Sequence, residues 1–282
     1  MAGGARESAP RNDEMFQSMN EHSLKKTLSK LNIGDLRYFD SIGSTNDEAL
    51  AWATENARDL SIVIADEQTQ GRGRLNRKWY TPKESALAFS LILRPSARVA
   101  LHTHLSRTVG LAALSIAESC RMLGLTPRIK WPNDILLNGK KTAGILIETV
   151  WSGEDVDSVV VGMGINVHSA SVPPQELLQF PATSLEDELG KNPPAREEIL
   201  FNIVNSFIHW RERIGTDELI HAWGESLSFR GEQVQVKAGD EVPITGELLG
   251  LESDGSLRLR DGDSNDKSII VRVGDVSLRP AA

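Results

Sequence analysis

Two apolar runs of strand length stand close together in the chain, "SIVIAD" (61–66) and "ALAFSLIL" (86–93), each bounded by polar or turn-forming residues. Both read as buried strands, and the first leads into a loop dense in glycine and arginine. From Leu101 to about Leu123 the period changes, because Leu105, Val109, Ala112, Ala113, Ile116 and Ala117 fall on one face of a helix. "RIKW", "DILLN", "TAGILIETV" and "SVVVGMGINV" (158–167) follow as further strands. Asn138 and Gly139 sit between the second and third of these, and that pair suits a two-residue hairpin because both residues accept positive φ. "NPPAREE" starts another helix, with Ile199, Ile203, Val204 and Phe207 as its apolar face. After Ser226 the texture shifts to short alternating strands divided by Gly and Asp, which predicts a small β-barrel. Strands joined by hairpins, without regular strand–helix alternation, predict an α/β (α+β) fold with a mixed, largely antiparallel sheet and helices packed against it.

The first thirty or so residues are rich in Ser, Asn, Glu and Arg and are expected to lack fixed structure until about Leu31. A helix is expected over "NDEALAWA", with overlapping capping boxes offered by Ser44 with Asp47 and by Thr45 with Glu48. The expected organisation is a flexible segment over 1–34, a main domain over 35–225 and a small β domain over 226–282.

Composition narrows the class. Of 282 residues, 40% are hydrophobic and 25% charged, which is ordinary for a globular protein. The net charge of -8 disfavours a general nucleic-acid binder, whose affinity rests on a broad cationic footprint, but allows a local cationic cleft. Cys120 is the lone cysteine, so an internal disulfide framework is excluded, and its apolar helical setting suggests a buried structural thiol. No run approaches the roughly 18 apolar residues of a membrane span, and no signal-peptide core precedes the first domain, so a cytoplasmic protein is expected.

Against that acidic background "GRGRLNRKW" (71–79) concentrates cations. It fits a dinucleotide fingerprint poorly, since Asn76 takes the place of the third glycine and no helix pattern follows. Gly71 and Gly73 permit close backbone approach to a ligand, and Arg72 and Arg74 can present bidentate donors to a carboxylate or phosphate. A mobile basic surface loop is the plain alternative. "KWPND" (130–134) ends a strand with Lys130 and continues into a proline turn carrying Asn133 and Asp134. "KTAGILIE" (141–148) and "GMGIN" (162–166) add a basic residue, further glycines and Asn166. Each of these alone also reads as a hairpin or strand end.

Taken together with "GSTN" (43–46), these motifs resemble the biotin protein ligases, in order and in rough spacing, from about Tyr38 to the C-terminus. The resemblance implies a catalytic domain like that of class II aminoacyl-tRNA synthetases followed by an SH3-like barrel. It implies biotin, ATP and Mg2+ as substrates and cofactor, with biotinyl-5'-AMP formed first. A lysine of the biotin carboxyl carrier domain of acetyl-CoA carboxylase is then the acceptor. Lys130, Arg72 and Arg74 are carried over as catalytic, with Lys130 touching the biotin carboxylate and the α-phosphate. Ser44, Thr45, Asn46, Gln68, Gly71, Arg72, Gly73, Lys130, Gly144 and Ile145 are carried over as biotin-binding. Arg74, Trp79, Trp131, Asn133 and Asn166 fall to the nucleotide side, and Asp134 and Asn166 are the candidate contacts of a phosphate-bridging magnesium. The loop over 71–79 is expected to order over the adenylate. Too few residues precede the catalytic domain for the winged helix of some family members, so no DNA-binding role is expected, nor any membrane partner. Both a monomer and a homodimer fit the family. Two departures from its pattern are Asn76 and Glu84, each at a place where glycine is common; Asn76 tolerates positive φ better than most residues, so the turn is expected to survive there. The rival readings are a lipoate ligase of the same fold, a nucleic-acid-binding module and a non-catalytic biotin sensor.

Overall fold

The computed structural model describes residues 19–95, 101–238, 242–261, 268–272 and 276–280. The chain opens with α1 (Glu21–Leu28), β1 (Leu36–Ile42), α2 (Thr45–Thr54), β2 (Ser61–Gln68) and β3 (Ala86–Leu93). Next come α3 (Leu101–Met122), β4 (Pro127–Lys130), β5 (Asp134–Leu137), β6 (Lys140–Ser152) and β7 (Asp155–Asn166). Three helices follow, α4 (Leu185–Leu189), α5 (Arg196–Arg211) and α6 (Asp217–Glu225). The chain ends in β8 (Gln233–Ala238), β9 (Ile244–Leu251), β10 (Leu257–Asp261), β11 (Ser268–Val271) and β12 (Val276–Pro280).

Among the described residues β1 to β7 form one sheet in the order β1-β2-β3-β7-β6-β5-β4. Only the β1–β2 pair is parallel, so the sheet is mixed and largely antiparallel, as the hairpin spacing predicts. Strand alternation sends neighbouring residues to opposite layers. Ile62, Ile64, Leu91 and Val161 face the layer of α3 and α5, while Val63, Ile92 and Val160 face Trp52 and Ala53 of α2. The predicted stripes of α3 and α5 are buried, apart from the half-buried Leu105, and Cys120 lies among them; burial pushes its thiol up to about 12, with Arg121 opposing only in part. The β5–β6 hairpin turns at Asn138 (φ 47) and Gly139 (φ 74), as expected of that pair. No helix of the described residues is long and apolar enough to cross a membrane.

Four expectations need correction. Residues 19–34 do not lack structure. Asn20 and Ser23 form a reciprocal capping box, and Leu24 and Leu28, four apart, bury one face of α1. The part of the flexible segment before residue 19 lies outside the described residues. Neither capping box proposed for α2 forms. The Thr45 backbone N–H donates to Gln68 Oε1 (2.8 Å), and Asp47 and Glu48 pair instead with Arg72 and Arg37. At the glycine-arginine turn the left-handed residue is Leu75 (φ 57), not Asn76. Glycine freedom also matters less at Gly73 than at Gly71, since only at Gly71 would a Cβ run into the Trp79 carbonyl.

The second sheet, β11-β10-β9-β8-β12, is antiparallel and matches the predicted terminal barrel. Its β9–β10 turn enters the first domain. Arg107 of α3, 6% exposed, donates from Nε (2.9 Å) and Nη2 (2.6 Å) to the Ser253 carbonyl, and from Nη1 to those of Ile214 (2.8 Å) and Thr216 (3.2 Å). Trp131 Nε1 donates to the Gly255 carbonyl (3.0 Å), and Gly255 (φ 85) lies flat on Trp223, with no room for a side chain.

Arg107→Met keeps much of the side-chain volume and removes the buried guanidinium that serves three carbonyls. It is expected to cost about 2–4 kcal/mol in urea unfolding, and a loss below about 0.5 kcal/mol would show that the carbonyls find other donors. Glu84, exposed and left-handed (φ 60), holds a conformation that glycine adopts without strain. Glu84→Gly should therefore raise stability by about 0.5–1 kcal/mol in the same measurement, and any destabilisation would refute the strain.

Candidate active site

The site forms where the β2–β3 connection meets the ends of β4 to β7 and the start of α2. Its first part is a polar pocket edge. Ser44, Thr45 and Asn46 are buried at the entry to α2. Gln68 Oε1 accepts from the Thr45 N–H and from Thr45 Oγ1 (3.1 Å), and Gln68 Nε2 donates to Thr81 Oγ1 (3.1 Å). Ser90 Oγ lies 2.6 Å from Asn46 Oδ1 and 2.9 Å from Thr45 Oγ1, its one proton shared between them. Asn46 Nδ2 donates to Glu148 Oε2 (2.8 Å) and, at 3.4 Å, to the Leu146 carbonyl. Gly162 leaves the space that the Asn46 amide fills, since any Cβ there would overlap it. Asn46 is thus a brace across the sheet, which accounts for its presence without a ligand.

The second part is a floor of two glycines. Gly144 on β6 pairs with Gly164 on β7, and the indole of Trp79 lies over both, so that a Cβ at Gly164 would overlap the ring. Trp79 Nε1 is buried without a hydrogen-bond partner. A buried orphan donor of this kind is a group that a ligand acceptor satisfies. The loop that carries Trp79 is a small hairpin. The Trp79 N–H donates to the Gly71 carbonyl (2.8 Å), the Gly73 N–H donates to the Arg77 carbonyl (2.7 Å), and Arg72 pairs with Lys78.

The third part is a charge cluster. Asp134, 8% exposed, lies 2.6 Å from Lys141 Nζ and 3.3 Å from Lys130 Nζ. Burial opposes its ionisation, but the two ammoniums outweigh burial and hold its carboxyl below the usual carboxylate range. Lys141 is the more open of the pair, with 25% of its side chain exposed against 6% for Lys130. Its Nζ stands 5.2 Å from the Trp79 ring centre, and Lys130 Nζ stands 4.4 Å from that of Phe180. Arg74 Nη1 donates to Asn133 Oδ1 (3.0 Å), and Asn133 is stapled to Ile145 by its side-chain amide (2.8 Å) and its carbonyl (3.0 Å).

The sequence-derived residues therefore divide. Thr45, Gln68, Gly71, Gly144, Ile145, Trp79, Arg74, Asn133, Lys130 and Asp134 gather around one cleft. Trp131 does not face it: the ring is 1% exposed and turned to the barrel, which removes it from the nucleotide side. Asn166 is buried and donates to the Thr183 carbonyl (3.0 Å), bracing the segment that carries Phe180. Arg72 leans away, onto Asp47 and Glu148. Three residues went unread. Lys141 stood in a quoted motif, three before the floor glycine, but only the β5–β6 pairing brings it to Asp134. Phe180 carries no sequence signal, and Glu148 ends a motif valued for its glycine.

Comparison with known proteins fits this geometry. Residues 38–166 match the model of the biotin/lipoate A/B protein ligase family. The bifunctional ligase/repressor BirA of Bacillus spizizenii is 40% identical over 231 residues, covering 79% of this chain and 69% of that one. The biotin–[acetyl-CoA-carboxylase] ligase of Mycobacterium tuberculosis is 31% identical over 273 residues, or 94% of this chain and 97% of that one. Among solved structures, the biotin protein ligase of Aquifex aeolicus in complex with biotin and ATP superposes with a TM-score of 0.70 at 29% identity, covering 88% of this chain and 99% of that one. With relatives 40% and 31% identical over most of its length, and a glycine floor beside a lysine–aspartate–lysine cluster on a fold shared with these enzymes, the chain belongs to the biotin protein ligase family.

Proposed function

We propose that this protein is a biotin–[biotin carboxyl-carrier protein] ligase. It joins biotin to ATP as biotinyl-5'-AMP and passes the biotinyl group to a lysine of an acetyl-CoA carboxylase carrier domain. The observation that carries the reading is the cluster of Lys130, Lys141 and Asp134 beside Gly144 and Trp79. In the first step a biotin carboxylate oxygen attacks the α-phosphorus of ATP and pyrophosphate leaves. Two anions must meet, so fixed cations are required where they touch. Lys141 and Lys130 supply them, and Asp134 keeps both side chains in place until the anions arrive. Arg74, held at the cleft by Asn133, closes from the loop side. In the second step the neutral acceptor amine attacks the acyl carbon, AMP departs and the amine sheds a proton. A closed loop keeps water from the anhydride between the steps.

The ureido end of biotin belongs with Thr45 and Gln68, whose polar groups line the pocket edge, and the Trp79 indole covers its apolar part. Magnesium enters with ATP. Among the described residues no group of three or more His, Cys, Asp or Glu side chains can hold a metal, and Asp134 is already neutralised by two ammoniums. The donor set does not suit a protein-held ion. The reaction needs ATP and a carboxylase carrier, which sets it in the cytoplasm, and the acidic net charge offers no general surface for DNA.

ATP–pyrophosphate exchange should depend on biotin and not on lipoate; exchange with lipoate alone would overturn the assignment in favour of the other branch of this fold. Lys130→Ala and Lys141→Ala should each slow adenylate formation by about 100-fold or more, with biotin affinity changed far less. If the rate of either variant is unchanged in a single-turnover assay, that lysine is not at the reacting groups.

A further inference from the structure

Arg72 and Arg74 stand two apart in one loop, yet they are held in different ways. One contact of Arg74 is a neutral amide, Asn133 Oδ1. Arg72 meets two carboxylates: Nη1 donates to Glu148 Oε1 (3.1 Å), and Nη2 donates to Glu148 Oε2 (3.0 Å) and to Asp47 Oδ1 (2.5 Å). A forked guanidinium facing both oxygens of one carboxylate is the geometry that resists displacement by an incoming anion. Glu148 is itself fixed, because its Oε2 also accepts from Asn46 Nδ2 (2.8 Å), and Asn46 is buried against Ser90 and the space left by Gly162. The carboxylate therefore joins three elements, the foot of the 71–79 hairpin, the entry of α2 and strand β6. Thr45, next to Asn46, belongs to the pocket edge, so this joint sets the spacing between pocket and lid.

We propose that Glu148 is a positioning residue. It pins Arg72, and with it the foot of the lid, to the pocket edge through Asn46, and leaves Arg74 as the loop arginine delivered to the adenylate. This rests on the ligase reading above and alters the part of it that the sequence assigned to Arg72. The lid swings about a fixed foot. Loosening the foot acts on how long the adenylate is retained, with little effect on the rate at which it forms.

The test uses the full chain with Glu148→Gln, Arg72→Met and the double variant. Glu148→Gln keeps the shape and an acceptor for Asn46 but gives up the charge that Arg72 needs. Biotinyl-5'-AMP is first formed on each protein from biotin and ATP; a wild type that forms none refutes the ligase reading itself, separately from this proposal. Release of preformed adenylate is then timed by filter binding. Each single variant should release it about tenfold faster, the double variant no faster than the worse single, and single-turnover formation by Glu148→Gln should stay within about twofold of wild type. Multiplying effects in the double variant, or a fall in the formation rate confined to Arg72→Met, would show that Arg72 touches the ligand and overturn the proposal. So would a lower melting temperature of Glu148→Gln with adenylate release unchanged, the result a merely structural glutamate gives. Glu148→Asp, one methylene too short to face Arg72 and Asn46 together, should resemble Glu148→Gln.

Discussion

Asp134 and its two lysines tie together the three strands that carry them. A carboxylate this buried is costly unless paired, and a pair of ammoniums this close is costly unless a carboxylate lies between them. Each group therefore depends on the other two, and they come from different strands: Lys130 from the end of β4, Asp134 from the start of β5, Lys141 from β6. The trio leaves one net positive charge at the sheet end, in low-dielectric surroundings where it acts strongly on an anion. Strand register follows from it. Asp134 pairs with Lys130 across one ladder and with Gly144 across the next, which sets the charge cluster beside the glycine floor.

The glycines of the site do their work by absence of bulk. Gly162 makes room for the Asn46 amide, Gly164 and Gly144 make room for the Trp79 ring, and Gly71 lies against the Trp79 carbonyl. These contacts tie the loop to the sheet. With Trp79 on the floor, the hairpin 71–79 cannot lie far from Lys141, and Arg74 is brought to Asn133 at the mouth of the same cleft. Motifs far apart in the chain are therefore one packing unit, with the ligand-facing atoms at its edge.

How much of this was legible depended on whether the deciding contact was local. The hairpin at Asn138 and Gly139 and the apolar faces of α3 and α5 depend on neighbours a few residues away, and the sequence predicts each of them. The helix α1 was missed because it is short and buries only Leu24 and Leu28; its one local sign, Asn20 followed three residues later by Ser23, lies in a polar stretch that composition assigns to disorder. The caps of α2 failed for the opposite reason. Their local pattern was sound, but Asp47 and Glu48 are drawn to Arg72 and Arg37, and Gln68 at the end of β2 takes the Thr45 N–H that Glu48 would have capped. Within the site the motifs named the right segments, yet residue roles follow long-range partners. Lys141 matters because the β5–β6 register brings it to Asp134, and Asn166 became a brace because Thr183 lies within reach.

Trp131 shows how far the site reaches. Side chains alternate across a strand end, so Lys130 and Trp131, adjacent in sequence, leave in opposite directions. Lys130 turns to Asp134, and Trp131 turns to the β9–β10 turn of the barrel, where its indole donates to the Gly255 carbonyl. The same turn is gripped by Arg107 and lies on Trp223, and all three of these side chains are buried. The barrel is therefore not an appendage tethered at its first strand. Its inserted turn packs one peptide unit from a lysine of the charge cluster, and buried, close-packed contacts of this kind transmit displacement because no void is available to absorb it. Shifting that turn would move Trp131, and Trp131 cannot move without Lys130, so the geometry of the anion-facing cluster is set jointly by the sheet that carries it and by the barrel behind it.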